Sequence, residues 1–272
     1  RQMCIRDRVS IKVINEIIDS FANDKKGVSL VQGCAGTGKT VLAISIINSL
    51  VNAINIDDRL LDIKAEAFED DIDESKRNTL LRLKKYIQTQ RGGKAFKIGF
   101  VFPMPGIRGT IKNVFKECGN GLVSEMVIGP TDVIKEDYDI LFVDESHRLS
   151  KRKNLTGYKS FDDVSRSLDL EPTETNQLEW ILKSAKHVIL FYDKTQSVKS
   201  SDISHDEYEN TLKKYNYVTN EHILETQMRC EGGDTYLQYI KDVMACRRKE
   251  RENMENYDFL IFDDVNLLVE TC

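Results

Sequence analysis

Four prolines, four histidines, a single tryptophan and six cysteines without a CxxC pair, in a chain of 272 residues, exclude several classes of protein at the outset. The cysteines (Cys4, Cys34, Cys118, Cys230, Cys246, Cys272) and the histidines are dispersed, so neither a disulfide framework nor a zinc site is indicated, and the thiols are expected to be reduced. No apolar run approaches the roughly 20 residues needed to cross a bilayer, and the N-terminus lacks the basic-then-apolar pattern of a signal peptide. The expected location is the cytoplasm. A net charge of −5 argues against a protein that coats nucleic acid through overall charge, while leaving room for a local basic groove. With so few prolines there is no evident linker, and no repeat or low-complexity tract is visible. What remains, 40% hydrophobic and 31% charged, suits a soluble globular chain with a core for one domain or one and a half.

Both ends are unusual. Met3 to Asp7 reads as the translation of a transposon-end sequencing adaptor, so residues 1–8 are taken as an adaptor scar outside the fold, a natural basic leader being the alternative. The chain stops soon after a strand-like run, Asp258 to Phe262, with no closing helix, which suggests a fragment.

Along the chain, Val13, Ile14, Ile17, Ile18 and Phe21 have the spacing of a helix with one buried face. Val28 to Val31 reads as a buried strand and runs into the glycine-rich GCAGTGKT, residues 33–40. Val41 to Val51 follows, apolar almost all round, and predicts a helix packed on a sheet. Residues 52–93 are more polar, with an acidic cluster from Glu69 to Glu74 and a helical pattern in Leu80, Leu83 and Ile87, and read as a solvated helical insertion. Ile98–Phe102, Asp139–Val143 and Val188–Tyr192 are further short apolar runs. Separated by helical stretches, they predict an α/β fold with a parallel, doubly wound sheet. The active sites of such sheets lie at the carboxyl ends of the strands.

GCAGTGKT satisfies G-x-x-x-x-G-K-[ST] in full, in the strand, loop, helix order of a P-loop. Gly33, Gly36 and Gly38 permit backbone angles that turn successive N–H groups inward on a phosphate, with Cys34, Ala35 and Thr37 completing the cradle. Lys39 would reach the β- and γ-phosphates of ATP, and the Thr40 hydroxyl would be a ligand to Mg2+. In ILFVDESH, residues 140–147, four apolar residues deliver Asp144 to the pocket as the metal-holding acid. The adjacent Glu145 is then free to act as general base on the attacking water. His147 is either a surface polar residue or coupled to the site. Gln196, in the loop after Tyr192, could feel the γ-phosphate and the water together, and Arg229 could stabilise charge on the transferring phosphoryl group.

Taken in order, SLVQGCAGTGKTVLA, GFVFPMPGIRGTIKNVFK, LFVDESHRLS, FYDKTQSVKSSDI and LETQMRCEGGDTYLQYI resemble the superfamily 1 helicases, and most closely the Schlafen-type DNA/RNA helicase domain. The resemblance covers nearly the whole chain. It implies a RecA-like P-loop NTPase in which Gly38, Lys39 and Thr40 form helicase motif I, Asp144 and Glu145 motif II, Gln196 motif III and Arg229 motif IV. Pro103 to Thr110 is similar to motif Ia, with Arg108 and Thr110 the donors to strand phosphates. Three departures stand out: Ser146 replaces the usual alanine, no adenine-reading glutamine precedes the P-loop outside the scar, and motifs V and VI are absent.

The resemblance implies a first RecA-like domain over 9–226 and the truncated start of a second over 227–272. It also implies single-stranded or partly duplex DNA or RNA as partner, with Lys151, Arg152 and Lys153 as a candidate basic contact and Tyr158 and Phe161 as stacking candidates. The expected activity is ATP hydrolysis by a helicase or translocase motor core. Two alternatives share the same motifs: a nucleotide-switched nucleic-acid-binding module that does not unwind, and a P-loop ATPase acting on proteins.

Overall fold

The computed structural model describes residues 2–55, 78–79, 81–86, 96–194, 196, 199–215, 217–225, 233–247, 260 and 262–271. In it the separate apolar runs become neighbours. Six strands, β1 (Gly27–Gly33), β2 (Ile98–Val101), β3 (Val127–Ile128), β4 (Tyr138–Val143), β5 (Ala185–Tyr192) and β6 (Val218–Leu224), pair in parallel in the order β3-β2-β4-β5-β1-β6. Helices cover both faces of the sheet, and the result is a RecA-like P-loop fold. The strand that leads into GCAGTGKT and the strand that delivers Asp144 are not adjacent. β5 lies between them, in register with both, pairing Val31 with Phe191 and Val143 with Leu190.

Burial on two faces explains why these strands read as unbroken apolar runs. Along β4, Ile140 and Phe142 enter one core with Ile189 and Phe191 of β5, while Leu141 and Val143 enter the other with Val188 and Leu190. The first core is closed by α1 (Gln2–Ala22) and α2 (Lys39–Asn55). The periodic positions of α1, Val13, Ile14, Ile17, Ile18 and Phe21, are all buried there, and the helix extends back through residues 2–10 in one piece. The second core is built around Trp180, whose ring lies 4.4 Å from that of Phe161. Phe161 is 3% exposed, so its stacking partner is Trp180 and it is not presented to a nucleic-acid strand.

The described part of residues 52–93 is solvated on one side only, where Asn78, Arg82 and Lys85 are exposed. Leu83 is fully buried in the first core, and the Tyr86 hydroxyl donates to the Phe21 carbonyl at 2.6 Å. Leu80 and Ile87 lie outside the described residues, as does most of the Asp258–Phe262 run, whose Leu260 and Phe262 are not in a strand.

A chain of buried polar groups crosses the sheet below the site. His187 on β5 is fully buried, with Nδ1 2.7 Å from the Ser20 hydroxyl and Nε2 2.9 Å from that of Ser29. Ser29 in turn donates to Glu16 at 2.5 Å, and Glu16 lies 2.9 Å from His222 of β6. Burial pushes the His187 imidazole down to about 3, so the ring is neutral in the folded protein. Gly27 is required beside it, since an added Cβ would meet the Ser20 hydroxyl and lie 2.6 Å from His187 Nδ1.

The chain divides into two compact units, residues 1–225 and 226–272. The first contains the whole sheet. In the second, the described residues form two helices, Gly233–Met244 and Val265–Thr271. Among the described residues no helix is long and apolar enough to cross a membrane.

Candidate active site

The P-loop begins where β1 ends. Gly36 and Gly38 have φ of 84° and 85°, a left-handed backbone that side chains rarely adopt. Gly33 is needed for a different reason: a Cβ there would lie 2.5 Å from the Thr37 hydroxyl, which is itself held by the Cys34 carbonyl at 2.9 Å. The loop therefore requires glycine at three separate positions. Lys39, 5% exposed, folds into it and donates to the carbonyls of Gly33 and Cys34 at 2.7 and 3.0 Å. Ala35 forms the exposed rim.

Across the loop, the Thr40 hydroxyl donates to Asp144 Oδ2 at 2.5 Å. These residues are 104 apart in sequence, on α2 and at the end of β4, and β5 is the spacer that brings them to one edge. Asp144 is 1% exposed, and burial raises its carboxyl from 3.8 to about 6, against the lowering effect of the Thr40 hydrogen bond. A buried carboxylate of this kind needs a cation to hold its charge. Among the described residues no group of three or more His, Cys, Asp or Glu side chains could hold a metal. A divalent ion would rest on Thr40 and Asp144 and take its other ligands from water and phosphate, the usual situation for Mg2+ beside a triphosphate.

Glu145 adopts a left-handed backbone, φ 50° and ψ 43°, and turns the chain into a short 3-10 turn, Ser146–Arg148. Its carboxyl is held below its ordinary value, first by His147, whose Nε2 lies 3.0 Å from Oε2, and also by the charges of Lys39 and Arg148. The two adjacent acids are thus driven in opposite directions, Asp144 upward and Glu145 downward.

His147 is not a surface residue. It is 1% exposed; its Nδ1 accepts the Asp193 N–H at 3.3 Å, and its Nε2 lies 3.0 Å from Glu145 Oε2. Asp193, at the end of β5, is the site residue that sequence reasoning passed over. Its Oδ2 accepts from the Gln196 side-chain amide at 2.7 Å and lies 3.9 Å from Lys39 Nζ, so the sheet-end turn after β5 is tied to the P-loop. The only signal was its position, immediately after an apolar strand. Ser146 also acquires a role. It is fully buried, donates to the Phe191 carbonyl at 2.9 Å and lies 3.0 Å from the Tyr208 hydroxyl.

Lys39, Thr40, Asp144, Glu145 and Gln196 are thereby gathered at one edge, together with Gly33, Cys34, Gly36, Thr37 and Gly38. Arg229 lies outside the described residues. The segment Pro103–Thr110 enters the helix Pro105–Cys118 beyond β2. There Thr110 is exposed, while the Arg108 guanidinium covers Gly129, where an added Cβ would sit 3.1 Å from its Cζ. The basic cluster after the acid turn is internally paired. Lys151 binds both carboxylate oxygens of Glu207, and Arg152 binds Asp162 through two hydrogen bonds, 2.7 and 3.0 Å, while lying 4.9 Å over the Tyr158 ring. Lys153 is exposed.

A P-loop and an acid strand meeting across an intervening strand define a broad class. The model of the Schlafen group 3 DNA/RNA helicase domain matches residues 26–272 and narrows it. This chain belongs to that family. The match begins one residue before β1 and takes in every residue of the site just described. No curated protein matches the chain. Membership of the Schlafen group 3 DNA/RNA helicase domain family supports a helicase-like, nucleic-acid-related function.

Proposed function

We propose that this Schlafen group 3 helicase domain binds ATP with Mg2+ at residues 33–40 and hydrolyses it as the motor core of a nucleic-acid helicase or translocase. The observation that carries the reading is the contact between the Thr40 hydroxyl and Asp144, two residues 104 apart in sequence that this reading assigns to the two halves of a metal and triphosphate site. Residues 9–226 are read as the first RecA-like domain and 227–272 as the start of the second.

In this reading Thr40 and Asp144 hold Mg2+, which when bound neutralises charge on the β- and γ-phosphates. The N–H groups of residues 33–40 bind the phosphates, and Lys39 leaves the carbonyls of Gly33 and Cys34 to meet them. Glu145, held in its ionised form beside His147, orients the attacking water and accepts its proton. Gln196 and Arg229 sense the γ-phosphate. Asp193 ties Gln196 to its loop, and through its backbone N–H holds His147 against Glu145, so movement of this loop reaches the base directly.

The test is phosphate release by the purified chain with and without single-stranded DNA and RNA, followed by a strand-displacement assay. Stimulated hydrolysis with displaced strand supports the motor. Stimulated hydrolysis without displacement would replace it with a nucleotide-switched binding module, and hydrolysis indifferent to any strand would replace it with an ATPase acting on proteins.

A further inference from the structure

A hollow of about 410 Å3 lies against β1, β6 and the helix His205–Tyr215, apart from the P-loop but on the residues that support it. We propose that it binds one nucleotide unit, a nucleobase with its attached phosphate. The inference extends the reading above by giving the same domain a second nucleotide-binding position.

Size and lining both point to this ligand class. The volume is at the lower end of the range of roughly 300–1,000 Å3 usual for small-molecule sites, which suits a single ring system with a sugar rather than a peptide. Tyr192 and Tyr208 form a buried floor, and Leu30, Leu212 and Tyr217 form apolar walls of the kind on which a flat base packs. One edge is polar. Gln32 donates to Glu221 at 3.2 Å and keeps its carbonyl oxygen free, so amide and carboxylate together offer a donor and acceptors to a base edge.

The charges lining the hollow balance, two lysines against two glutamates, and they are placed unevenly. His205 and Lys213 are both engaged by Glu209, at 3.2 and 3.5 Å, and Glu221 is engaged by Gln32. Among the described residues lining the hollow, Lys194 is the charged side chain left without a hydrogen bond or ion pair, and it is exposed. A phosphate attached to a base in the hollow would meet it.

The position gives the site a consequence. Gln32 immediately precedes the P-loop residue Gly33, Tyr192 immediately precedes Asp193, and the Tyr208 hydroxyl holds Ser146 between Glu145 and His147. A base seated here rests on the side chains that hold the acid turn.

The nucleotide unit could belong to a strand or be a free mononucleotide, and two titrations of the full chain, with pyrophosphate in excess to occupy the P-loop, distinguish them. One uses a labelled ten-nucleotide oligoadenylate, as DNA and as RNA, read by fluorescence anisotropy. The other uses AMP, read by calorimetry. Leu212→Trp, which fills the hollow, and Lys194→Glu, which reverses the free charge, are each expected to weaken binding at least ten-fold, with the melting temperature of Lys194→Glu unchanged. Loss confined to the oligoadenylate assigns a strand, and loss of AMP binding assigns a free nucleotide. Affinities in both variants equal to those of the unaltered chain, or no binding of either ligand to the unaltered chain, would overturn the proposal. If Leu212→Trp fails to fold, Lys194→Glu at the exposed rim decides. Pyrophosphate binding is measured beforehand: its absence counts against the P-loop reading alone, and the titrations still report on the hollow.

Discussion

The Nδ1 atom of His147 accepts the backbone N–H of Asp193 at 3.3 Å, and the opposite ring nitrogen faces the Glu145 carboxylate at 3.0 Å. One imidazole thus spans the ends of β4 and β5 and connects the residue expected to activate water with the loop that carries Gln196. His147→Ala should lower kcat for ATP by about ten-fold while leaving KM close to its original value, because the ring positions the base and touches no phosphate. Steady-state phosphate release measures both. An unchanged kcat would reduce His147 to a packing residue.

Lys39→Ala removes the cation that meets the β- and γ-phosphates and should reduce ATP turnover by roughly a thousand-fold or more. A malachite-green assay on purified protein suffices. Turnover at the original rate would refute the P-loop assignment.

Glu145→Gln keeps the shape of the side chain but cannot accept a proton. ATP should still bind, with hydrolysis lower by about 10²- to 10⁴-fold. Equilibrium binding of a fluorescent ATP analogue beside a turnover assay separates the two effects; a variant unable to bind ATP would make Glu145 structural.

Ser146→Ala, which restores the residue more usual at this position in related helicases, should cost about 1 kcal/mol here. It deletes the hydrogen bond to the Phe191 carbonyl and leaves the buried Tyr208 hydroxyl without that partner. Urea unfolding curves of the two proteins give the difference, and a more stable alanine variant would contradict it.

His187 makes stability depend on pH in a defined direction. Its folded-state value, about 3, lies below the ordinary 6.5, so below pH 6.5 the unfolded chain takes up a proton that the folded chain refuses. Its contribution is complete above pH 6.5 and declines as the pH falls toward 3, by about 2 kcal/mol between pH 7 and pH 5. Asp144, raised to about 6, acts in the opposite sense, gaining a proton in the folded state and adding stability below that pH. Comparing His187→Gln with the unaltered chain cancels the Asp144 effect. The unaltered chain should lose about 2 kcal/mol more over this interval, and equal losses would mean that the buried imidazole accepts a proton in place.

The interior of the sheet was legible because strands covered on both faces are apolar at most positions, Ser29 and His187 being buried exceptions paired with each other, and four such runs stand out from the polar chain around them. The edge strands were not. β6, Val-Thr-Asn-Glu-His-Ile-Leu, buries His222 and Leu224 but leaves Thr219, Glu221 and Ile223 exposed, so half its side chains face water and no continuous run forms. β3, two residues long, carries too little pattern to notice. Residues 2–8, set aside as an adaptor scar, continue α1 without a break, because backbone hydrogen bonding extends a helix through polar positions.

The P-loop and the acid pair could be named from the chain alone, since their chemistry demands particular residues at fixed local spacings. Local spacing also specified the buried stripe of α1 and the apolar strands. The strand order was a tertiary decision, and with it the insertion of β5 between β1 and β4. That order alone brings Asp193 to Lys39, His147 between two strand ends, and the Ser146 hydroxyl to a carbonyl 45 residues away. Such contacts join residues whose separation along the chain follows no period, and they exist only once the sheet has assembled.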